Sequence, residues 1–130
     1  MDGSAHKALF SSKVVDGFGV VAFQRGGIRE EVEVLRTLDS LARYVESHAH
    51  LRIVLDLSGV EYISCAGLAR LIRLLKAVRK NHGTLRLSGL QPFVAEVFRA
   101  VRLDELFSIH GSPEAAIQSP ETELETESAF

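Results

Sequence analysis

Two short runs near the amino end, Phe10 to Val15 and Phe18 to Gln24, are rich in β-branched and aromatic residues. Asp16-Gly17 between them suits a two-residue turn that needs positive φ, so the pair predicts an antiparallel hairpin, ended by Gly26-Gly27. From Glu30 to Ser47 the period changes. Val34, Leu35, Leu38, Leu41, Ala42 and Val45 recur at three- and four-residue spacing, the apolar stripe of a helix. Glu30, Glu31 and Glu33 lie in its first turns, where the backbone dipole favours negative charge. Leu51 to Leu57 is nearly all apolar, short, and closed by Ser58-Gly59, which predicts a buried central strand.

Val60 to Cys65 connect that strand to a second helix, Ala66 to Asn81. Its buried stripe is Leu68, Leu71, Ile72, Leu75 and Val78, and Arg70, Arg73, Lys76 and Lys80 lie opposite. Asn81-His82-Gly83 ends it, with Gly83 expected as the left-handed cap. Thr84 to Ser88 reads as a strand and Gly89 to Gln91 as a turn. Pro92 fits the first position of a third helix with Val94, Val97, Phe98 and Val101 on its apolar face. Leu106 to Ile109 is the candidate last strand and Pro113 to Gln118 one or two final helical turns. Ser119 to Phe130 holds four Glu and almost nothing to bury, the composition of a disordered acidic tail. The order β-β-α-β-α-β-α-β predicts an α/β domain over residues 1–118: a mixed sheet of four to five strands with helices packed against it.

Composition narrows the class. The 130 residues suffice for one domain, and 46% hydrophobic with 25% charged residues is the balance of a chain with a real core. A formal net charge of -2 and a pI near 6.2 argue against a nucleic-acid binder, which is normally strongly basic. Cys65 is the one cysteine, so no internal disulfide forms. A single thiol and an amino end without an apolar signal stretch lead us to expect a cytoplasmic protein. No run approaches the roughly 20 apolar residues of a membrane span, so any membrane role is expected to come through a partner. There is no phosphate-cradling Gly-x-x-x-x-Gly-Lys loop, paired-His zinc motif or Gly-x-Ser-x-Gly elbow. No enzyme activity, cofactor or metal is expected. His48 and His50 form a His-x-His pair, but two residues apart on a helix do not face each other.

The most informative stretch runs from Val54 to Leu68. A buried strand enters a loop of small residues that opens onto a helix, at Ser64-Cys65-Ala66-Gly67. Small residues let another chain approach the backbone closely. The helix start supplies unpaired N–H groups and a positive dipole end, and a phosphate placed there would change the local charge by nearly two units. Such a junction suits a phosphorylation-controlled contact, but on the residues alone a plain tight helix entry is the commoner reading.

This stretch resembles the signature of the STAS family, the anti-sigma-factor antagonist domains. Members carry a buried strand, a turn, and then Asp-Ser-Ser-Gly-Leu or Asp-Ser-Ala-Gly-Leu opening a helix; here the aligned residues are Ser64-Cys65-Ala66-Gly67-Leu68. Gly83 to Leu90 and Pro92 to Phe107 are also similar, so the resemblance spans about residues 8 to 118. It implies binding of an anti-sigma factor or a switch-type serine kinase through the loop and helix start at 58–70, by Ser58, Ser64, Cys65, Ala66, Gly67 and Arg70. An alternative from the same family is a soluble accessory subunit that docks on the ATPase of a lipid-transport ABC complex, with which Ala66-Gly67-Leu68-Ala69 is compatible.

The departures from the pattern carry consequences. Switched members are phosphorylated on the Ser or Thr just before the Gly. That position is Ala66, which has no hydroxyl. Ser64 stands where the family has Asp, and either caps the helix, which needs only geometry, or serves as a displaced phosphosite. Ser58 is expected first as a turn residue. Cys65 replaces a serine: as a small buried residue, the commoner fate of a free Cys, or as a redox switch at a helix start. Arg29, after Gly26-Gly27-Ile28, stands where members place an acidic kinase contact.

Overall fold

A computed structural model describes residues 10–23 and 30–120. Strands β1 (Phe10–Val15) and β2 (Phe18–Phe23) form the hairpin. Helix α1 (Glu30–Glu46) leads to β3 (Arg52–Asp56), α2 (Cys65–Lys80), β4 (Thr84–Ser88) and α3 (Pro92–Ala100). A 3-10 turn (Leu103–Glu105), β5 (Ser108–His110) and α4 (Pro113–Gln118) complete the order. Asp16 and Gly17 both adopt positive φ, 52° and 83°, so the turn is of the type whose twist matches paired strands.

The sheet order is β1-β2-β3-β4-β5, antiparallel at the first pair and parallel thereafter. Sequential parallel strands stacked in one direction send their connecting helices to a common face. One buried cluster duly joins Val34, Leu38 and Val45 of α1, Leu71, Leu74 and Val78 of α2, and Val94 and Phe98 of α3 to alternate strand residues Val21, Ile53, Leu55, Leu85 and Leu87. The intervening positions face the other way. Phe18, Val20 and Val54 form a second, smaller cluster, closed by Ala116 of α4.

Arg86 falls on that second face and is only 2% exposed. Its guanidinium donates to the carbonyls of Ala116, Ser119 (2.7 Å) and Pro120 (3.4 Å), so a buried charge terminates α4. Ser119 and Pro120, assigned by sequence to the acidic tail, thus take part in this face; the rest of the tail, 121–130, lies outside the described residues.

Several boundaries differ from the sequence reading. The second helix begins at Cys65 rather than Ala66, because Ser64 is the cap. The last strand is Ser108–His110, since the 3-10 turn draws Leu106 and Phe107 out of the ladder. The left-handed residue after α2 is His82 (φ 61°), not Gly83. Gly83 is needed for another reason: a Cβ there would overlap the Leu51 carbonyl oxygen, whose partner is the Thr84 N–H at 2.8 Å.

Candidate functional site

Parallel β3 and β4 both end at the same edge of the sheet, and their following segments meet there. Leu57 prolongs β3 by donating its N–H to the Ser88 carbonyl at 2.8 Å. Asp56 Oδ1 accepts the Ser58 N–H at 3.1 Å, an Asx turn that reverses the chain. Ser58 is exposed, and its carbonyl accepts the Gln91 side-chain amide, tying this loop to the start of α3. Gly89, at φ 68°, packs where a Cβ would lie 2.9 Å from Asp56 Oδ1. Leu57, Val60 and Ile63 then turn inward and are buried, which anchors the loop along its length.

Ser64 sits in extended conformation (φ -87°, ψ 169°) and caps α2: its Oγ accepts the Gly67 N–H at 3.1 Å, and its carbonyl accepts the Leu68 N–H at 2.9 Å. Of the two roles open to Ser64, the geometry displays the cap. Gly67 is buried, and a Cβ there would stand 2.8 Å from Ile63 Cγ1. The glycine therefore lets the helix start press onto the loop, and shapes the surface rather than forming it. Ala66, the second helical residue, is half-buried.

Cys65 corrects the buried reading: it is exposed. It occupies the first helical position, and the inward-facing places on either side are taken by Ile63 and Gly67.

Arg70, one turn further on, is half-buried against α1. Its Nε lies 3.2 Å from Asp39 Oδ1, and its Nη1 donates to the Ala66 carbonyl at 3.4 Å. This separates it from Arg73, Lys76 and Lys80, which are exposed. Arg29 lies outside the described residues.

One feature of this edge escaped the sequence reading. Tyr62 and Phe93 are 55% and 49% exposed, yet stack on each other with ring centroids 5.7 Å apart and planes 18° apart. Tyr62 precedes the cap by two residues and Phe93 follows Pro92 at the start of α3. Their meeting depends on the shared edge of β3 and β4, and the one available signal was a Tyr and a Phe each beside a turn. With exposed Cys65 and half-buried Ala66 they border the helix start with apolar area.

The two histidines of the His-x-His pair diverge. His48 stacks on Tyr44 at 4.0 Å and its Nδ1 donates to the Tyr44 carbonyl at 2.8 Å, whereas His50 faces His82. Among the described residues no cluster of three or more His, Cys, Asp or Glu is placed to hold a metal ion. No described helix is long and apolar enough to cross a membrane.

Comparison with known proteins places this architecture. A protein of Bordetella bronchiseptica named "Putative anti-sigma factor antagonist BtrV" is 33% identical over 110 residues, covering 85% of this chain and 92% of that one. Among solved structures, an anti-sigma-factor antagonist (STAS) domain protein from Planctomyces limnophilus superposes with a TM-score of 0.71 at 19% identity, covering 83% of this chain and 94% of the other. An anti-sigma factor antagonist from Mycobacterium paratuberculosis gives 0.64 at 18% identity, covering 83% and 89%. The STAS domain family model matches residues 21–116, from the second strand of the hairpin to the last helix. Sheet order, helix placement and the capped junction at Ser64 thus coincide with a match across most of the chain, and the chain belongs to the STAS domain family.

Proposed function

We propose that this protein is a non-enzymatic, cytoplasmic regulator of the anti-sigma-factor antagonist type. It binds an anti-sigma factor or a switch-type serine kinase through residues 58–70. The observation that supports this most is the construction of the α2 start. Ser64 caps it, Gly67 seats it against Ile63, and Cys65 and Ala66 remain as small residues at its outer end. A partner backbone can approach such a surface closely, and the Tyr62–Phe93 pair beside it supplies the aromatic area that dominates protein interfaces.

Control differs from that of a phosphorylation switch. A phosphate on the residue before Gly67 would bring nearly two negative charges into the contact, but Ala66 offers no oxygen to carry it. Ser64 has a hydroxyl, already engaged with the Gly67 N–H. The protein therefore acts as a constitutively unphosphorylated form, its output set by abundance and by competing partners. The relative's name supports the anti-sigma-factor-antagonist part of this reading.

Incubation with the switch kinase of its native cell and ATP, followed by phosphosite mapping, tests this. We expect no phosphate on the wild-type chain and stoichiometric phosphate on Ala66→Ser. Stoichiometric phosphate at Ser64 or Ser58 of the wild type would overturn it.

A further inference from the structure

At the opposite ends of β3 and β4 the chain builds a second site. The register pairs Arg52 with Thr84, the first residues of the two strands. His50 and His82 each precede their strand by two positions and therefore come level. Their rings lie side by side, centroids 5.7 Å apart and planes 26° apart. Both residues are left-handed, at φ 65° and 61°. That conformation costs a non-glycine residue backbone energy that glycine would not incur. Strain repeated at level positions, with exposed imidazoles as the result, points to use of the side chains.

The surroundings say what they face. Arg52 is exposed, its guanidinium stacked 4.1 Å above the Phe18 ring, and Arg86 approaches the same ring at 5.2 Å. His50, Arg52, His82, Thr84 and Arg86, with Ser119 and Pro120, line an open cleft of about 480 Å³. Among these described residues there is no carboxylate. Arg86 is held by the carbonyls that end α4, and contributes its field rather than a free hand. Arg52 presents a planar fork of donors suited to a phosphate edge. The imidazoles and the Thr84 hydroxyl add further hydrogen-bond donors. The volume is in the range of small-molecule sites.

The geometry points to a binding site for a phosphate group, free or carried on a small organic molecule, formed by His50, Arg52, His82 and Thr84. It lies at the far ends of the strands from the Ser64 loop and stands independently of the partner reading.

The test is titration of the full-length ¹⁵N-labelled chain with inorganic phosphate, and separately with ribose 5-phosphate, at constant ionic strength against chloride. Saturable shifts of the His50, Arg52, His82 and Thr84 amides are expected, with the Ser64–Gly67 amides unmoved. Saturation by inorganic phosphate identifies the free ion as sufficient; saturation by the sugar phosphate alone assigns a phosphomonoester. The double substitution His50→Gly with His82→Gly keeps the backbone conformation available and should weaken binding about tenfold or more, as should Arg52→Gln, while the folded spectrum persists. Shifts that chloride reproduces, or affinity unchanged in His50→Gly/His82→Gly, would overturn the site. So would displacement of the same amides, without phosphate, on neutralising Glu121, Glu123, Glu125 and Glu127 to Gln, which would give the cleft to the chain's own acidic end.

Discussion

The two ends of β3 and β4 are built on opposite terms. At the carboxyl ends, close approaches are met by glycine: Gly67 beneath Ile63, and Gly89 at positive φ against Asp56. The surface left there carries the small residues Cys65 and Ala66 beside the exposed Tyr62–Phe93 stack. At the amino ends Gly83 likewise meets the close approach of the Leu51 carbonyl, but positive φ falls on His50 and His82, and the surface is cationic. Glycine relieves strain and leaves no side chain to bind with; histidine accepts strain and presents a ring. On the two proposals made above, one end receives another protein's backbone and the other a small anion.

The sharpest way to break this contrast is at Gly67. Gly67→Val forces side-chain atoms into Ile63 and should cost about 3 kcal/mol of stability, read as a fall in the denaturation midpoint with the slope unchanged. A wild-type midpoint would show that the helix start can move away from the loop. Next comes Tyr62→Ala. It should weaken partner binding by about 2 kcal/mol, the scale of an aromatic hot spot, with little change in folding stability because the ring is half in solvent. Calorimetry with the purified partner measures this, and equal losses in binding and stability would mark Tyr62 as a packing residue. The smallest effect is expected from Ser64→Ala. It removes one cap hydrogen bond and should cost about 1 kcal/mol, seen in thermal melts; a loss several times larger would mean that Ser64 holds more than the helix end.

Legibility in the sequence followed the range of the interactions. The Asp16-Gly17 turn, the stripes of α1 and α2 and the serine cap depend on neighbours within a few residues, and each could be read from spacing. Leu74 and Ala77 of α2 were missed as core because α1 and the sheet together cover a wider arc than one stripe. Cys65 was misjudged because its exposure depends on which helical position it takes, and the helix starts one residue earlier than its apolar pattern. The Tyr62–Phe93 stack joins residues 31 apart in number, and the His50–His82 pair residues 32 apart. Both follow from parallel register, which no local pattern carries. The family resemblance directed attention to the loop at 58–70, the partner contact proposed above, and was silent about the opposite end.

The dependence of α4 on Arg86 has a consequence for synthesis. Emerging from the ribosome, the chain can complete the helix-covered side of its sheet once α3 and β5 are out. Among the described residues, Phe18, Val20 and Val54 gain their cover from α4, and the guanidinium beneath it gains its acceptors at Ala116, Ser119 and Pro120. A nascent chain stopped short of α4 would therefore leave Phe18, Val20 and Val54 uncovered and Arg86 without these three carbonyls, the kind of transiently exposed apolar surface that makes unfinished chains prone to aggregate.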